Sequence, residues 1–141
     1  MAAGAVGGSE LATGAVNANT ITSITGSAAD VTTAFTSTGI TGLGNEAVTL
    51  SDTSVSATVL NSLDGKTTGT IDASALKTLT GTSAEVQTAF SATGISGLTF
   101  DASSYIAGYT DLLAAFGTDL TAAKAHYFAN GVSEGRSFDA F

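Results

Sequence analysis

The chain repeats itself. Residues 16–43, VNANTITSITGSAADVTTAFTSTGITGL, recur as residues 71–98, IDASALKTLTGTSAEVQTAFSATGISGL, without a gap and at an offset of 55. Thirteen of the 28 aligned pairs are identical, and most others are exchanges such as Val/Ile, Asn/Asp and Asp/Glu. The bulky positions keep step: Val31 with Val86, Phe35 with Phe90, Ile40 with Ile95, Leu43 with Leu98. Such self-similarity restricts the chain to architectures in which one small unit stacks on copies of itself.

Further units are weaker echoes. Residues 47–65, AVTLSDTSVSATVLNSLDG, join a short alternating segment to a helical pattern. Phe100-Asp101-Ala102-Ser103 echoes Ile71-Asp72-Ala73-Ser74, and Phe138-Asp139-Ala140 echoes it again. Units therefore start near residues 16, 48, 71, 100 and 138, and the chain stops where another would begin. The division expected is a flexible leader over 1–12, a β/α repeat region over 13–98 and a helical C-terminal unit over 99–141.

Each unit opens on a short strand pattern in which β-branched or aromatic residues alternate with small polar ones: Val16-Asn-Ala-Asn, Val48-Thr-Leu-Ser, Ile71-Asp-Ala-Ser, Thr99-Phe-Asp. The pairs Ile21/Ile24 and Leu76/Leu79 suggest a second short strand or turn. A helix follows. Ser27-Ala-Ala-Asp30 and Thr82-Ser-Ala-Glu85 have capping-box spacing, and Val31, Ala34, Phe35 and Val86, Ala89, Phe90 recur at helical intervals. In the middle unit the helical set is Val55, Val59, Leu60 and Leu63. Gly39, Gly65 and Gly94 stand where a positive-φ C-cap is expected.

Helices of about 8–11 residues do not persist alone in water. Stacking on neighbouring copies must bury Val, Ile, Leu and Phe, and helical crossovers make the strand pairing parallel. Ala, Thr, Gly and Ser supply 82 of the 141 residues, as suits closely spaced units with little side-chain room. A mean hydropathy of +0.33 and the absence of proline argue against disorder of the whole chain. The fold class expected is α/β: short β/α solenoid-like repeats with parallel strands, followed by a C-terminal helical hairpin. In that hairpin Tyr105, Ile106, Tyr109, Leu112, Leu113 and Phe116 form one stripe, with Thr110 an N-cap candidate inside it. Thr118-Asp119 caps the second helix, which carries Leu120, Ala123, Tyr127 and Phe128.

Composition removes whole classes of chemistry. Without cysteine there is no disulfide scaffold, thiolate metal site or cysteine nucleophile. One histidine cannot build a multi-histidine zinc site. Four basic residues against twelve acidic ones, a net charge of −8, argue against nucleic-acid binding. No apolar run approaches the roughly 18–20 residues of a membrane span. The phosphate-binding glycine loops and the nucleophile-elbow serine motif are both missing from the sequence. The expectation is a non-enzyme, with no catalytic and no cofactor-binding residue.

Among polar residues, His126 reads as a structural hydrogen-bonder directed at the loop 131–135, while Glu134 and Arg136 are placed to pair with each other or pin that loop. Asp72 and Asp101 recur at one strand position, with Asn17 at the same place in the first copy. They are weak calcium candidates, and a turn role in which each carboxylate satisfies nearby amides is the stronger reading. The residues expected to carry packing and assembly are Val31, Phe35, Val86, Phe90, Tyr105, Leu112, Phe116, His126, Tyr127, Glu134 and Arg136.

The C-terminal stretch YIAGYTDLLAAFGTDLTAAKAHYFANGVSEGR resembles a repeat of large extracellular bacterial proteins. The matching positions are Tyr105, Asp111, Leu112, Gly117, Asp119, His126, Tyr127, Gly131, Glu134, Gly135 and Arg136. The upstream units are similar to tandem repeats of RTX-like giant surface proteins and of some marine phage structural proteins. The chain lacks the glycine-rich nonapeptide of RTX proteins, so their calcium sites do not carry over. The resemblance implies an extracellular or cell-surface protein that self-assembles, head to tail or as a homo-oligomer, or mediates adhesion in a layer, filament or matrix. The alternatives are a virion decoration or fibre subunit, and a glycan-binding adhesin module using Tyr105, Tyr109, Tyr127 and Phe128.

Overall fold

A computed structural model describes residues 14–139. The leader expected over 1–12 lies outside the described residues, as does Ala140. The described chain is mixed α/β, with parallel strands in small sheets and six helices.

The first copy of the repeat forms strand β1 (Val16–Asn17), strand β2 (Ser23–Gly26), helix α1 (Ala28–Thr36) and strand β3 (Ile40–Thr41). The middle unit forms β4 (Ala47–Leu50), β5 (Ser54–Ser56) and α2 (Ala57–Asp64). The second copy forms β6 (Ile71–Asp72), β7 (Thr78–Thr80), α3 (Ser83–Ser91) and β8 (Ile95–Ser96). The two copies thus give the same element order, as their shared apolar and turn positions require.

All pairing among the described strands is parallel. The sheets are β1-β3, β2-β4-β6-β8 and β5-β7. Register repeats: Val16 lies opposite Ile40, Ser23 opposite Ala47, Ser54 opposite Thr78 and Ile71 opposite Ile95, always at the same sequence separation. Val48 lies opposite Ile71, a separation shorter by a single position. The structural step is therefore less than half the sequence period. The remaining length is the stretch from Ile40 to Val48, which carries the chain from β3 to a strand that pairs with both β2 and β6.

Helix starts follow the capping chemistry. The Thr82 hydroxyl accepts from the Glu85 amide at 3.3 Å, and the Glu85 carboxylate accepts from the Thr82 amide at 2.8 Å. Asp30 is one methylene shorter, and only half of the box forms: Ser27 Oγ accepts from the Asp30 amide at 3.1 Å. Helix ends depart from expectation. Gly39, Gly65 and Gly94 do not have positive φ; among the glycines that do are Gly42 and Gly97, at φ 87° and 81°. These two follow β3 and β8, where the chain turns towards the next segment. Gly94 serves another need: a Cβ there would collide with Asp64 Oδ1.

No strand forms over Thr99-Phe-Asp. The pairing position one step beyond β6 falls at Ile95–Ser96 instead, and Asp101 becomes an N-cap. The C-terminal part has three short helices rather than two: α4 (Ala102–Ala107), α5 (Thr110–Phe116) and α6 (Leu120–His126), followed by a π-helical turn over Tyr127–Gly131. The apolar stripe is continuous in sequence, but α4 ends at the Gly108 cap and Tyr109 takes an extended conformation.

One apolar cluster joins both parts. Val31, Val48, Leu60, Leu63, Ile71, Leu79 and Val86 are buried together with Tyr105, Leu112, Tyr127 and Phe138. Phe35, Phe90 and Phe116 are half-buried against it, not inside it. Leu79 in β7 is 1% exposed, so Leu79→Ala leaves a cavity that the close-packed strands cannot fill. Urea unfolding should show a loss of about 2–5 kcal/mol.

Candidate functional site

The richest concentration of polar and aromatic side chains lies where the three C-terminal helices meet the 131–136 loop. Asp101 opens α4, accepting from the amides of Ser103 and Ser104 at 2.9 and 3.2 Å. Asp119 opens α6, accepting from the Ala122 amide at 2.9 Å. Helices this short need such caps, because much of their backbone hydrogen bonding lies at their ends.

Helix α4 turns Tyr105 fully inward, and the π turn does the same with Tyr127. The rings of Phe100 and Tyr127 stack at 5.0 Å, and Tyr105 meets Tyr127 edge-on at 5.4 Å. Phe90 of α3 reaches the same cluster, edge-on to Phe128 at 5.5 Å and Phe138 at 5.2 Å. Ser83 Oγ donates to the Phe128 carbonyl, a second tie between α3 and the π turn.

Polar atoms surround these rings in a connected chain. Tyr105 Oη and His126 Nδ1 share a hydrogen bond of 3.0 Å. His126 Nε2 is 3.9 Å from Glu134 Oε2. Arg136 Nε donates to that same Glu134 oxygen at 2.5 Å. The guanidinium also grips Asp111 with two bonds, of 3.1 and 2.6 Å, and lies 4.6 Å over the Tyr109 ring. Tyr109 Oη accepts from the Ser137 amide at 2.7 Å. Arg136 therefore connects α5, the loop and the residue leading out of α4.

The electrostatics follow. Hydrogen bonding from Arg136 holds the Asp111 carboxyl below its ordinary value, and Asp111 in turn raises the guanidinium pKa. Burial pushes Tyr105 up to about 12 and raises Tyr127 as well. A Tyr–His–Glu sequence has the outline of a proton relay. At neutral pH the Tyr105 phenol stays protonated, and the contacts tie α4, α6 and the 131–136 loop together.

Gly131 is required by proximity. A Cβ there would collide with Tyr105 Oη. Gly131→Ala should push the phenol off His126 and cost about 1–3 kcal/mol, read in urea unfolding.

The candidate residues divide as follows. His126, Tyr105, Glu134 and Arg136 are brought together. His126 contacts the loop through Glu134, but its hydrogen bond goes to Tyr105. Val31, Phe35 and Val86 lie in the repeat region and belong to or pack on the shared apolar cluster, while Phe90 reaches the C-terminal rings directly. Asp72 and Asp101 form no ladder. Asp72 lies opposite Thr49 and Ser96, and its carboxylate accepts from the Ser74 amide at 2.9 Å. Both carboxyls are held below their ordinary value by hydrogen bonds, first from the Ser74 and Ser103 side chains. Among the described residues no group of three or more His, Cys, Asp or Glu could hold a metal ion. Nor is any helix among them long and apolar enough to cross a membrane.

One pairing and one burial escape a reading of the sequence. Asp111 and Arg136 stand far apart in the chain, and no local signal couples them. Glu46 is fully buried, its Oε2 accepting from the amides of Gly44 and Asn45 at 2.7 and 3.0 Å. Its place in a turn between two strands gives no hint of burial. No protein family, curated protein or solved structure matches the chain.

Two pH dependences follow. Asp111 has a depressed folded-state pKa, so its stabilisation is present above its ordinary value of 3.8 and is lost as pH falls through the folded value. The thermal midpoint should drop below about pH 5, and Asp111→Asn should flatten that slope. Tyr105 has the opposite sense. Its stabilisation is present below its ordinary value of 10.0 and is lost as pH rises towards about 12. Phenolate absorbance from Tyr105 and Tyr127 should therefore appear together with unfolding at alkaline pH.

Proposed function

We propose that the chain is a structural, non-enzymatic repeat module of an extracellular or cell-surface layer, filament or matrix. In this reading residues 16–98 are stacked β/α coils of a short solenoid, and residues 99–139 are a terminal cap. The observation that carries it is the parallel register, repeated at one nearly constant sequence step across all three sheets. Each coil has its strands and apolar face completed by the next, which is how quasi-one-dimensional proteins build length.

The cap supports the same reading. The backbone amides of Phe138 and Asp139 both donate to the Lys77 carbonyl, at 3.0 and 3.4 Å. Lys77 Nζ meets Asp139 at 2.6 Å, and Thr78 and Ser137 share a hydroxyl bond of 2.6 Å. Phe138, which echoes the start of a repeat, is thereby laid against β7. Head-to-tail growth through β7 would require this segment to leave.

A glycan-binding role draws on one observation. Phe100, Leu120, Lys124 and Phe128 line an open groove. Of the other aromatic candidates, Tyr105 and Tyr127 are fully buried, and Tyr109 is half-buried with Arg136 over its ring.

The purified chain should form dimers or larger assemblies in sedimentation experiments, and extended particles in electron micrographs at high concentration. A monomer at every concentration would overturn the assembly reading. Binding on a glycan array that Phe128→Ala abolishes would favour the adhesin reading.

A further inference from the structure

Two adjoining grooves open where α3 and α6 meet the π turn. Both are lined by Phe100, Lys124 and Phe128. The first adds Leu120, Thr121 and Ala125 of α6, and the second adds Gln87, Phe90 and Ser91 of α3. At about 460 and 430 Å³, each has the size of a small-molecule site, roughly 300–1,000 Å³. Because they share three residues, one extended ligand can occupy both.

The charge of this surface is the reverse of the chain's. Acidic residues outnumber basic ones twelve to four, yet no acid lines either groove and Lys124 lines both. Lys77 and Arg136 are already engaged by carboxylates. Lys124 is exposed, and among the described residues no carboxylate stands within ion-pair distance of it. The acids nearest the grooves in sequence are committed elsewhere. Asp101 accepts from the Ser103 and Ser104 amides, and Asp119 from the Ala122 amide, each at the start of its own helix.

The lining is aromatic and held in place. Phe90, Phe100 and Phe128 are half-buried. Tyr127 stacks on Phe100 at 5.0 Å, and Phe90 meets Phe128 edge-on at 5.5 Å. Hydrogen-bonding groups stand around these rings. Gln87 donates from Nε2 to Ser83 Oγ, and among the described residues no hydrogen bond reaches its Oε1. The Ser91 hydroxyl donates to the Gln87 carbonyl and keeps its lone pairs for an incoming donor. Thr121 adds an exposed hydroxyl. A few polar groups set around an apolar, preformed surface are the usual makeup of a ligand site.

A ligand that matches all of these has an apolar face for the phenyl rings, hydroxyls that both donate and accept, and an anionic group for the ammonium. A uronic acid combines the three: the C–H face of a pyranose ring, its hydroxyls and a carboxylate. An alkyl or aryl acid has no hydroxyls for Gln87, Ser91 and Thr121, and a neutral sugar has no charge for Lys124. We infer that the paired grooves bind an acidic oligosaccharide, with a uronate ring against Phe100 and Phe128, its carboxylate on Lys124 Nζ, and a neighbouring sugar beside Gln87 and Ser91. The inference rests on the glycan-binding reading of this surface and names the class of glycan.

The test is titration of the isotope-labelled full chain, followed by amide chemical shifts. The probes are trimers of galacturonate, glucuronate, mannuronate and guluronate, the neutral hexose trimer of the same linkage for each, and triglutamate as an acid without a sugar. At least one uronate trimer should shift the amides of Gln87, Thr121 and Lys124 and bind about tenfold more tightly than its neutral counterpart. Added salt should erode that preference. Lys124→Gln should remove it while circular dichroism and the thermal midpoint stay unchanged, because the side chain is exposed. Lys66→Gln, outside both grooves, should leave binding as it is. A preference that survives Lys124→Gln would overturn the inference, as would triglutamate binding as tightly as the best uronate. Equal binding of uronate and neutral trimers at these amides would overturn it too and leave the glycan reading standing. A panel in which no sugar binds would overturn both.

Discussion

A strand of two to four residues offers only a few backbone hydrogen bonds, and helices of eight or nine residues are marginal in water. Parallel pairing at a short, nearly constant sequence step solves both problems, and the rest of the structure depends on it. It brings each strand beside another of the same type and places each helix of the repeat region next to its successor. Apolar positions such as Val48, Ile71 and Leu79 then fall into one continuous cluster. Hydroxyl side chains reinforce the step, with Thr41 Oγ1 donating to the Val16 carbonyl and Ser96 Oγ to that of Ile71, at the same place in both copies.

The paired strands of the described residues have two flanks, and these differ. At the C-terminal end the material changes from small hydroxylated residues to aromatic rings. Phe90, the last large residue of the repeat region's final helix, meets Tyr127, Phe128 and Phe138 edge-on. Arg136 holds the outer shell of that cluster through Asp111, Glu134 and the Tyr109 ring. Burial of two tyrosines and a bidentate ion pair give this unit rigidity that helices of six or seven residues lack. At the N-terminal end nothing comparable is present among the described residues, and Val16 and Ile21 remain exposed.

The polar network ties separate elements of the C-terminal part together. Tyr105, His126 and Glu134 lie in sequence, as a relay would require. The phenol is enclosed and shifted to high pKa, and the carboxylate is already engaged by Arg136. What the arrangement does is fix a loop to three helices, with Gly131 leaving the space that the phenol needs.

Much of this was legible in residue order. Strand and helix in each copy, the capping box at Thr82, the burial of Val31 and Val86, and the parallel sense of pairing follow from local periodicity, hydrogen-bonding side chains and the geometry of crossovers. These are short-range properties, and a repeat states them twice. The short structural step was not legible, because β3, β5 and β8 are too short to show a pattern and the stretch from Ile40 to Val48 hides the period. Nor was the break at Gly108, the burial of Glu46, the embrace of Arg136 by Asp111, or the different fates of Val16 and Ile71. Those depend on which surfaces meet after the chain has stacked. Closely similar local sequence carries no record of whether a neighbour stands on one side or on both.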